Sequence, residues 1–130
     1  MAVKIEKFKN LRIEINSDCN RKCVFCPRGT DSTRWTLTEE GGRKKKLINK
    51  QMATEDVKSL IDQNINQGFN ATVSFVFYNE PVMDDRLISL SEYAKNKGTR
   101  VVLTTNGDQM KKDPALTKEI FRVNDFVSIS

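Results

Sequence analysis

Three features of the sequence predict an α/β fold with a parallel sheet. Strand-like and helix-like patterns alternate as strand, helix, strand, helix, strand, helix, strand. After the first strand, successive strands begin about thirty or fewer residues apart, the spacing of βαβ units. Turn and cap residues close the patterned segments. Such alternation puts helices outside a parallel sheet. Right-handed crossovers either curl that sheet into a barrel or lay it out open.

The first strand runs from Leu11 to Asn16. Leu11, Ile13 and Ile15 share one face, and Arg12, Glu14 and Asn16 the other. A cysteine segment follows directly. Next comes a polar stretch from about Pro27 to Gln51 containing Gly29, Gly41 and Gly42. A connection this long inside a compact domain is usually functional or mobile. Within it, Thr30 to Lys46, with Trp35 and a basic cluster, reads either as a contact with substrate or as a disordered loop.

A helix is predicted from Thr54, read as its N-cap, with Glu55 and Asp56 in the first turn. Val57, Leu60, Ile61 and Ile65 are spaced for one apolar face, and Gly68 suits the C-terminal stop. Ala71 to Phe77 reads as the second strand, with Val73, Phe75 and Phe77 alternating, closed by Tyr78-Asn79-Glu80-Pro81. Asp84 and Asp85 open a second helix carrying Leu87, Leu90, Ser91 and Ala94 on its face, and Gly98 ends it. Arg100 to Thr105 is the third strand, closed by the turn dipeptide Asn106-Gly107. Asp113-Pro114 suits the N-cap and first position of a third helix, anchored by Ile120 and Phe121. Asp125 to Ser130 is a fourth strand. The sequence stops inside that pattern, so we expect a piece of a longer protein.

The 130 residues are enough for one modest domain. Charged residues at 30% and hydrophobic ones at 38% give an ordinary soluble, globular balance. No apolar run approaches the roughly 20 residues needed to span a bilayer. The N-terminus lacks the apolar stretch of a secretion signal. A cytoplasmic location with no membrane contact is the expectation. The net charge of +5 raises the question of a polyanionic partner. The basic residues are nevertheless spread along the chain, apart from Arg43-Lys44-Lys45-Lys46, which reads as a solvated loop. Basic residues do not interleave with aromatic ones, so nucleic acid is not the expected partner.

The chemistry is concentrated in Cys19-Asn20-Arg21-Lys22-Cys23-Val24-Phe25-Cys26, a C-x3-C-x2-C spacing that holds all three cysteines of the chain. An odd count, tightly clustered, points to a metal or redox centre rather than a disulfide framework. The chain has no histidine, the commonest partner of cysteine at zinc. Three thiolates on one loop can bind three corners of a cubane cluster and leave one iron open to a ligand. A zinc site completed by an outside ligand such as Asp18, or incidental thiols, are the other readings. Glu80 could simply cap the following helix, and Asn106-Gly107 could be only a turn.

The cysteine loop, with Phe25 just before its third cysteine, resembles the signature of the radical S-adenosylmethionine (SAM) superfamily. Three further features resemble that family in order. They are Asn79-Glu80-Pro81 for its Gly-Gly-Glu motif, Thr104-Thr105-Asn106-Gly107 for the turn after its third strand, and Ser128 and Ser130 on its fourth strand. The resemblance spans about residues 11 to 130, four of the six units usual in the family barrel. It implies a partial (β/α) barrel of about four parallel strands with outer helices. Residues 1–130 would be the N-terminal portion of that core domain.

The resemblance also implies roles. Cys19, Cys23 and Cys26 would ligate a [4Fe-4S] cluster, with SAM chelating the fourth iron. Glu80, with the backbone near Asn79, would accept hydrogen bonds from the SAM amino group. Thr105 and Asn106 would lie at the cofactor, Ser128 and Ser130 would face the ribose, and Phe25 would lie near the adenine. The implied reaction is reductive cleavage of SAM to a 5′-deoxyadenosyl radical that abstracts hydrogen from a substrate. A one-electron reductant such as flavodoxin or ferredoxin would supply the electron. Cys26-Pro27-Arg28 and Tyr78-Asn79-Glu80-Pro81-Val82 resemble members with a C-terminal SPASM extension, many of which modify peptides or proteins. Asn79 stands where the family often has glycine, and asparagine tolerates the left-handed backbone better than most residues. The competing reading is a non-catalytic iron–sulfur or zinc module, binding nucleic acid through a basic surface.

Overall fold

The computed structural model describes residues 7–27, 35–37, 43–45 and 50–130. Its main sheet has four strands: β1 (Asn10–Arg12), β4 (Thr72–Ser74), β5 (Val101–Thr105) and β6 (Phe126–Ile129). All neighbours are parallel, in the order β1-β4-β5-β6. Each strand lies beside the one before it in this sheet, without the reversal of an open doubly wound sheet. The expected α/β architecture with four parallel strands is therefore the one adopted. A separate antiparallel pair, β2 (Trp35–Leu37) with β3 (Arg43–Lys45), falls in the long polar stretch. Residues 28–34, 38–42 and 46–49 of that stretch lie outside the described residues, and with them most of the segment read as a candidate for contact with substrate.

The strand patterns sort the side chains as the alternation requires. Ile13, Ile15, Val73, Phe75, Val101 and Leu103 are buried under the helices. On the other face, Arg12 lies level with Ser74, and Ser74 with Val102. That face carries Arg12, Ser74 and Thr104 beside Val102. Phe77, expected to continue the apolar face, is instead exposed, because the regular ladder ends at Ser74 and the chain begins to turn.

Helix α1 (Thr54–Asn66) buries Val57 and Ile61. Its cap is Ala53, with no side-chain cap bond, so Thr54 is the first helical residue rather than the N-cap. Its hydroxyl accepts from Arg86 instead. Leu60 is exposed, and the third buried position belongs to Asn64. The Asn64 amide donates to the carbonyl of Ala71 and accepts from its N–H, both at 2.9 Å. Asn64 thus closes the connection into β4 with both ends of its own buried side-chain amide paired.

Helix α2 (Leu87–Asn96) buries Leu87, Leu90, Ser91 and Ala94, the face expected of it. A short helix α3 (Asp108–Lys112), not expected from the sequence, precedes α4 (Pro114–Val123). Asp113 caps α4 by accepting from the Leu116 N–H. Ile120 anchors α4 together with Val123, whereas Phe121 points into solvent. One hydrophobic cluster joins the helices to the sheet, from Ile13 and Val57 through Leu90 to Leu103 and Ile120.

Arg86 locks the C-terminal side of β1 to this frame. Its guanidinium grips the fully buried Asp84 carboxylate at 2.7 Å and also donates to the carbonyls of Met52 and Ile15. No helix among the described residues is long and apolar enough to cross a membrane.

Candidate functional site

The C-terminal ends of β1, β4 and β5 feed three connections into one place. After β1 the chain passes through Ile15 and Asn16 into the cysteine loop. After β4 comes Val76 to Glu80. After β5 comes Asn106-Gly107. Such convergence at the carboxyl ends of parallel strands is where α/β folds build their sites. A cavity of about 250 Å³ opens there. Its lining includes Cys19, Cys23, Cys26, Phe25, Asn79 and Glu80. Thr105, Asn106 and Ser130 complete the wall from the side of β5 and β6.

Nine of the ten residues singled out in the sequence therefore share one cavity. The exception is Ser128, which pairs in register with Thr104 one strand over and does not line it. Ser130, two residues further toward the strand end, takes that place. The structure adds Arg21, Val76, Phe77, Tyr78 and Thr104 to the lining. Single-sequence reading had no signal for Arg21, since a charged residue in an exposed loop is ordinary.

Glu80 is the buried charge of the site, only 3% exposed. Its Oε1 accepts from the Thr105 hydroxyl at 2.6 Å and the Val82 N–H at 3.2 Å, and its Oε2 accepts from the Asn106 N–H at 2.8 Å. The Val82 bond makes Glu80 the cap of the 3-10 turn Pro81–Met83. The capping role anticipated for it is thus real, but it is one of three. All three donors are neutral, and no ion pair joins Glu80 to a cation among the described residues. A carboxylate offers about four acceptor positions, so capacity remains on Oε2. A buried anion so held favours a cationic ligand in the adjoining space.

Asn79 is spent internally. Its amide donates to Asn16 Oδ1 and to the Phe75 carbonyl, and its own oxygen accepts from the Phe77 N–H. Among the described non-glycine residues, only Asn70 has a positive φ, so Asn79 does not use the left-handed conformation. It holds the turn through its side chain, which a glycine cannot do.

The three cysteines are not joined in disulfides and are half-buried. No three of the described His, Cys, Asp and Glu side chains stand together as a ready metal cage. The donor chemistry nevertheless suits a thiophilic metal centre: three thiols within eight residues, opening on the same cavity. The Cys19 thiol is pushed up by burial, drawn down by the Arg21 N–H, and pushed up again by Glu80, Cys23 and Cys26. A thiophilic cation bound by these three donors would take them as thiolates and release their protons.

The sequence profile of the Radical SAM superfamily matches residues 13–130. The chain is 27% identical, over 92% of its length, to the S-adenosyl-L-methionine-dependent 2-deoxy-scyllo-inosamine dehydrogenase of Niallia circulans, of which it covers 44%. It is 30% identical over 97 residues, 75% of its length, to the Fe-coproporphyrin III synthase of Methanosarcina barkeri (strain Fusaro / DSM 804), of which it covers 21%. The fold is similar to the crystal structure of BtrN in complex with AdoMet and 2-DOIA, with a TM-score of 0.72 at 23% identity, covering 95% of this chain and 46% of that one. The BtrN structure in an open conformation gives a TM-score of 0.70 at 23% identity, with 95% and 50% covered. The chain thus spans less than half the length of the curated relatives it matches.

Proposed function

Because the chain belongs to the Radical SAM superfamily, we propose that Cys19, Cys23 and Cys26 hold a [4Fe-4S] cluster and that SAM binds in the cavity beside them. One observation carries this reading: the three thiols and the buried Glu80 carboxylate open on the same cavity. The dehydrogenase relative is SAM-dependent by its own name, which supports SAM as the cofactor here. When bound, the reduced cluster supplies one-electron cleavage of SAM, giving methionine and a 5′-deoxyadenosyl radical.

The protein's part is to bind, orient and exclude water. Glu80 accepts from the cationic amino group with the capacity left on Oε2. Asn79, its side chain committed to the turn, offers only backbone. Asn106 holds the Glu80 carboxylate in place by donating its N–H to Oε2. Ser130 offers a hydroxyl to the ribose, Ser128 stands one step further from it, and Phe25 borders the adenine. Phe77 and Tyr78, with ring centroids 4.3 Å apart, form an apolar wall against water.

That chemistry would remove a hydrogen atom from a substrate, which we place in the peptide or protein class on the resemblance to SPASM-bearing members. A one-electron donor such as flavodoxin or ferredoxin supplies the electron. Turnover of a free metabolite and of no peptide would overturn that substrate class. The test of the reaction is anaerobic reconstitution with iron and sulfide, reduction, and assay for 5′-deoxyadenosine after addition of SAM. Product that disappears in Cys23→Ala supports the proposal. Zinc uptake without cluster formation overturns it.

A further inference from the structure

We propose that Arg21 and Asp108 form a clasp that sets where the cysteine loop lies against the Glu80 cavity, which makes Arg21 a positioning residue for the open iron; this rests on the radical SAM reading above. Arg21 stands between the first two cysteines. Its Nε and Nη2 donate to the two oxygens of Asp108 at 2.9 and 2.6 Å, a bidentate pair. Nη2 also donates to the Asn106 carbonyl at 3.1 Å, and Nη1 to the Ser130 carbonyl at 3.4 Å. Asn20 adds a bond to Asp108 at 3.1 Å and accepts from the Asn106 amide at 2.7 Å. One residue pair thus gathers the loop, the turn after β5 and the end of β6.

Asn20, Arg21, Lys22, Val24 and Phe25 are all exposed, so no apolar packing fixes them. The loop's start is tied separately, by the Glu80 N–H donating to the Asp18 carbonyl at 2.7 Å. Asn106 is the junction. Its N–H serves Glu80, its carbonyl serves Arg21, its amide serves Asn20, and its Oδ1 accepts from the Asp108 N–H. The carboxylate proposed to take the SAM amino group and the loop proposed to carry the cluster therefore hang from the same residue. A ligand chelated by the iron and held by Glu80 must satisfy both at once. Displacement of about 1 Å at such a site costs on the order of a hundredfold in rate.

An exposed ion pair contributes little to global stability, so positioning and stability separate experimentally. The protein is reconstituted as wild type, Arg21→Lys, Asp108→Asn and the double variant, with Lys111→Ala as the control for loss of a neighbouring charge. Iron and sulfide content, thermal midpoint, and the SAM-induced change in the EPR spectrum of the reduced cluster are read for each. We expect the single variants to keep the wild-type iron content and thermal midpoint. Their SAM dissociation constant rises at least about tenfold, the effect of one lost charge-assisted bond. Lysine keeps the charge but lacks the planar fork. The double variant should be no worse than the weaker single, because both remove the same clasp. Unchanged SAM affinity and spectrum in both single variants overturn the proposal, as do strictly additive losses. Loss of the cluster in the single variants also overturns it, since the pair would then serve ligation itself. Wild-type protein that takes up no cluster, or whose spectrum ignores SAM, instead overturns the underlying reading.

Discussion

The hydroxyl of Thr105, at the end of β5, donates to Glu80 Oε1 at 2.6 Å across 25 residues of sequence. It also accepts from the Gly107 N–H at 3.1 Å. Thr105 therefore ties the β4 turn to the β5 turn and fills two bonds that would otherwise be orphaned in a buried place. Thr105→Val keeps the shape and removes both. The expected loss is about 1–3 kcal/mol, read from equilibrium denaturation, while Thr105→Ser should stay close to wild type. Equal stability of the valine variant would show that the bond is not holding the turns.

Glu80→Gln removes the buried charge yet keeps an oxygen and the size of the side chain. The amide group places a donor among the donors Thr105, Val82 and Asn106. Formation of 5′-deoxyadenosine should fall at least about tenfold, the equivalent of one charge-assisted hydrogen bond. An unchanged rate would remove Glu80 from the proposed SAM site.

Arg86 is the partner of an Asp84 side chain with no solvent exposure. Arg86→Ala strands that carboxylate and frees the carbonyls of Ile15 and Met52. A loss of about 3–5 kcal/mol is expected. Removing Asp84 as well should recover part of it, because the unpaired buried charge goes too. Chemical denaturation of the two variants side by side makes the comparison.

Gly107 has φ +77°, and a Cβ there would lie 2.9 Å from Ile129 Cγ2. Gly107→Ala should cost about 1–2 kcal/mol from the left-handed backbone alone. Adding Ile129→Ala should relieve only the part due to contact. Full recovery in that double variant would mean that backbone conformation contributes nothing.

Asp125 supplies a pH dependence whose sign follows from its partners. The Val101 N–H and then the Lys95 ammonium hold its carboxyl below the usual carboxylate range. A group lowered on folding contributes fully above its unfolded pKa, about 3.9, and loses that contribution as pH falls through the folded value. Stability should therefore decline on acidification through that range, and Asp125→Asn should flatten the decline. The side chain is partly open to water, so the effect is modest. A pH series of thermal midpoints reads it.

The sheet was legible because burial imposes period two on a strand with one covered face. Ile13, Ile15, Val73 and Leu103 could not alternate so and lie elsewhere. The helical face of α2 was legible because burial of one side of a helix imposes a period of about 3.6, as at Leu87, Leu90, Ser91 and Ala94. Phe77 and Phe121 were misplaced because their spacing continues a pattern after the element has turned or narrowed. Helix α3 was missed because five residues carry too little periodicity to register. Thr54 has a capping side chain, but Arg86, distant in sequence, claims its hydroxyl.

For the site, the sequence by itself determined the thiol donor set, the acidic turn and the order in which strands deliver them, because spacing along one chain is local information. Only the tertiary structure decided that Glu80 is held by three neutral donors, that Asn79 is spent on Asn16 and Phe75, that Ser130 rather than Ser128 reaches the cavity, and that Arg21 meets Asp108. Each of those facts includes a contact or placement that joins segments far apart in sequence, such as Glu80 with Thr105, Asn79 with Asn16 and Arg21 with Asp108. Such contacts depend on register and on the twist that brings strand ends together, and no single segment encodes either.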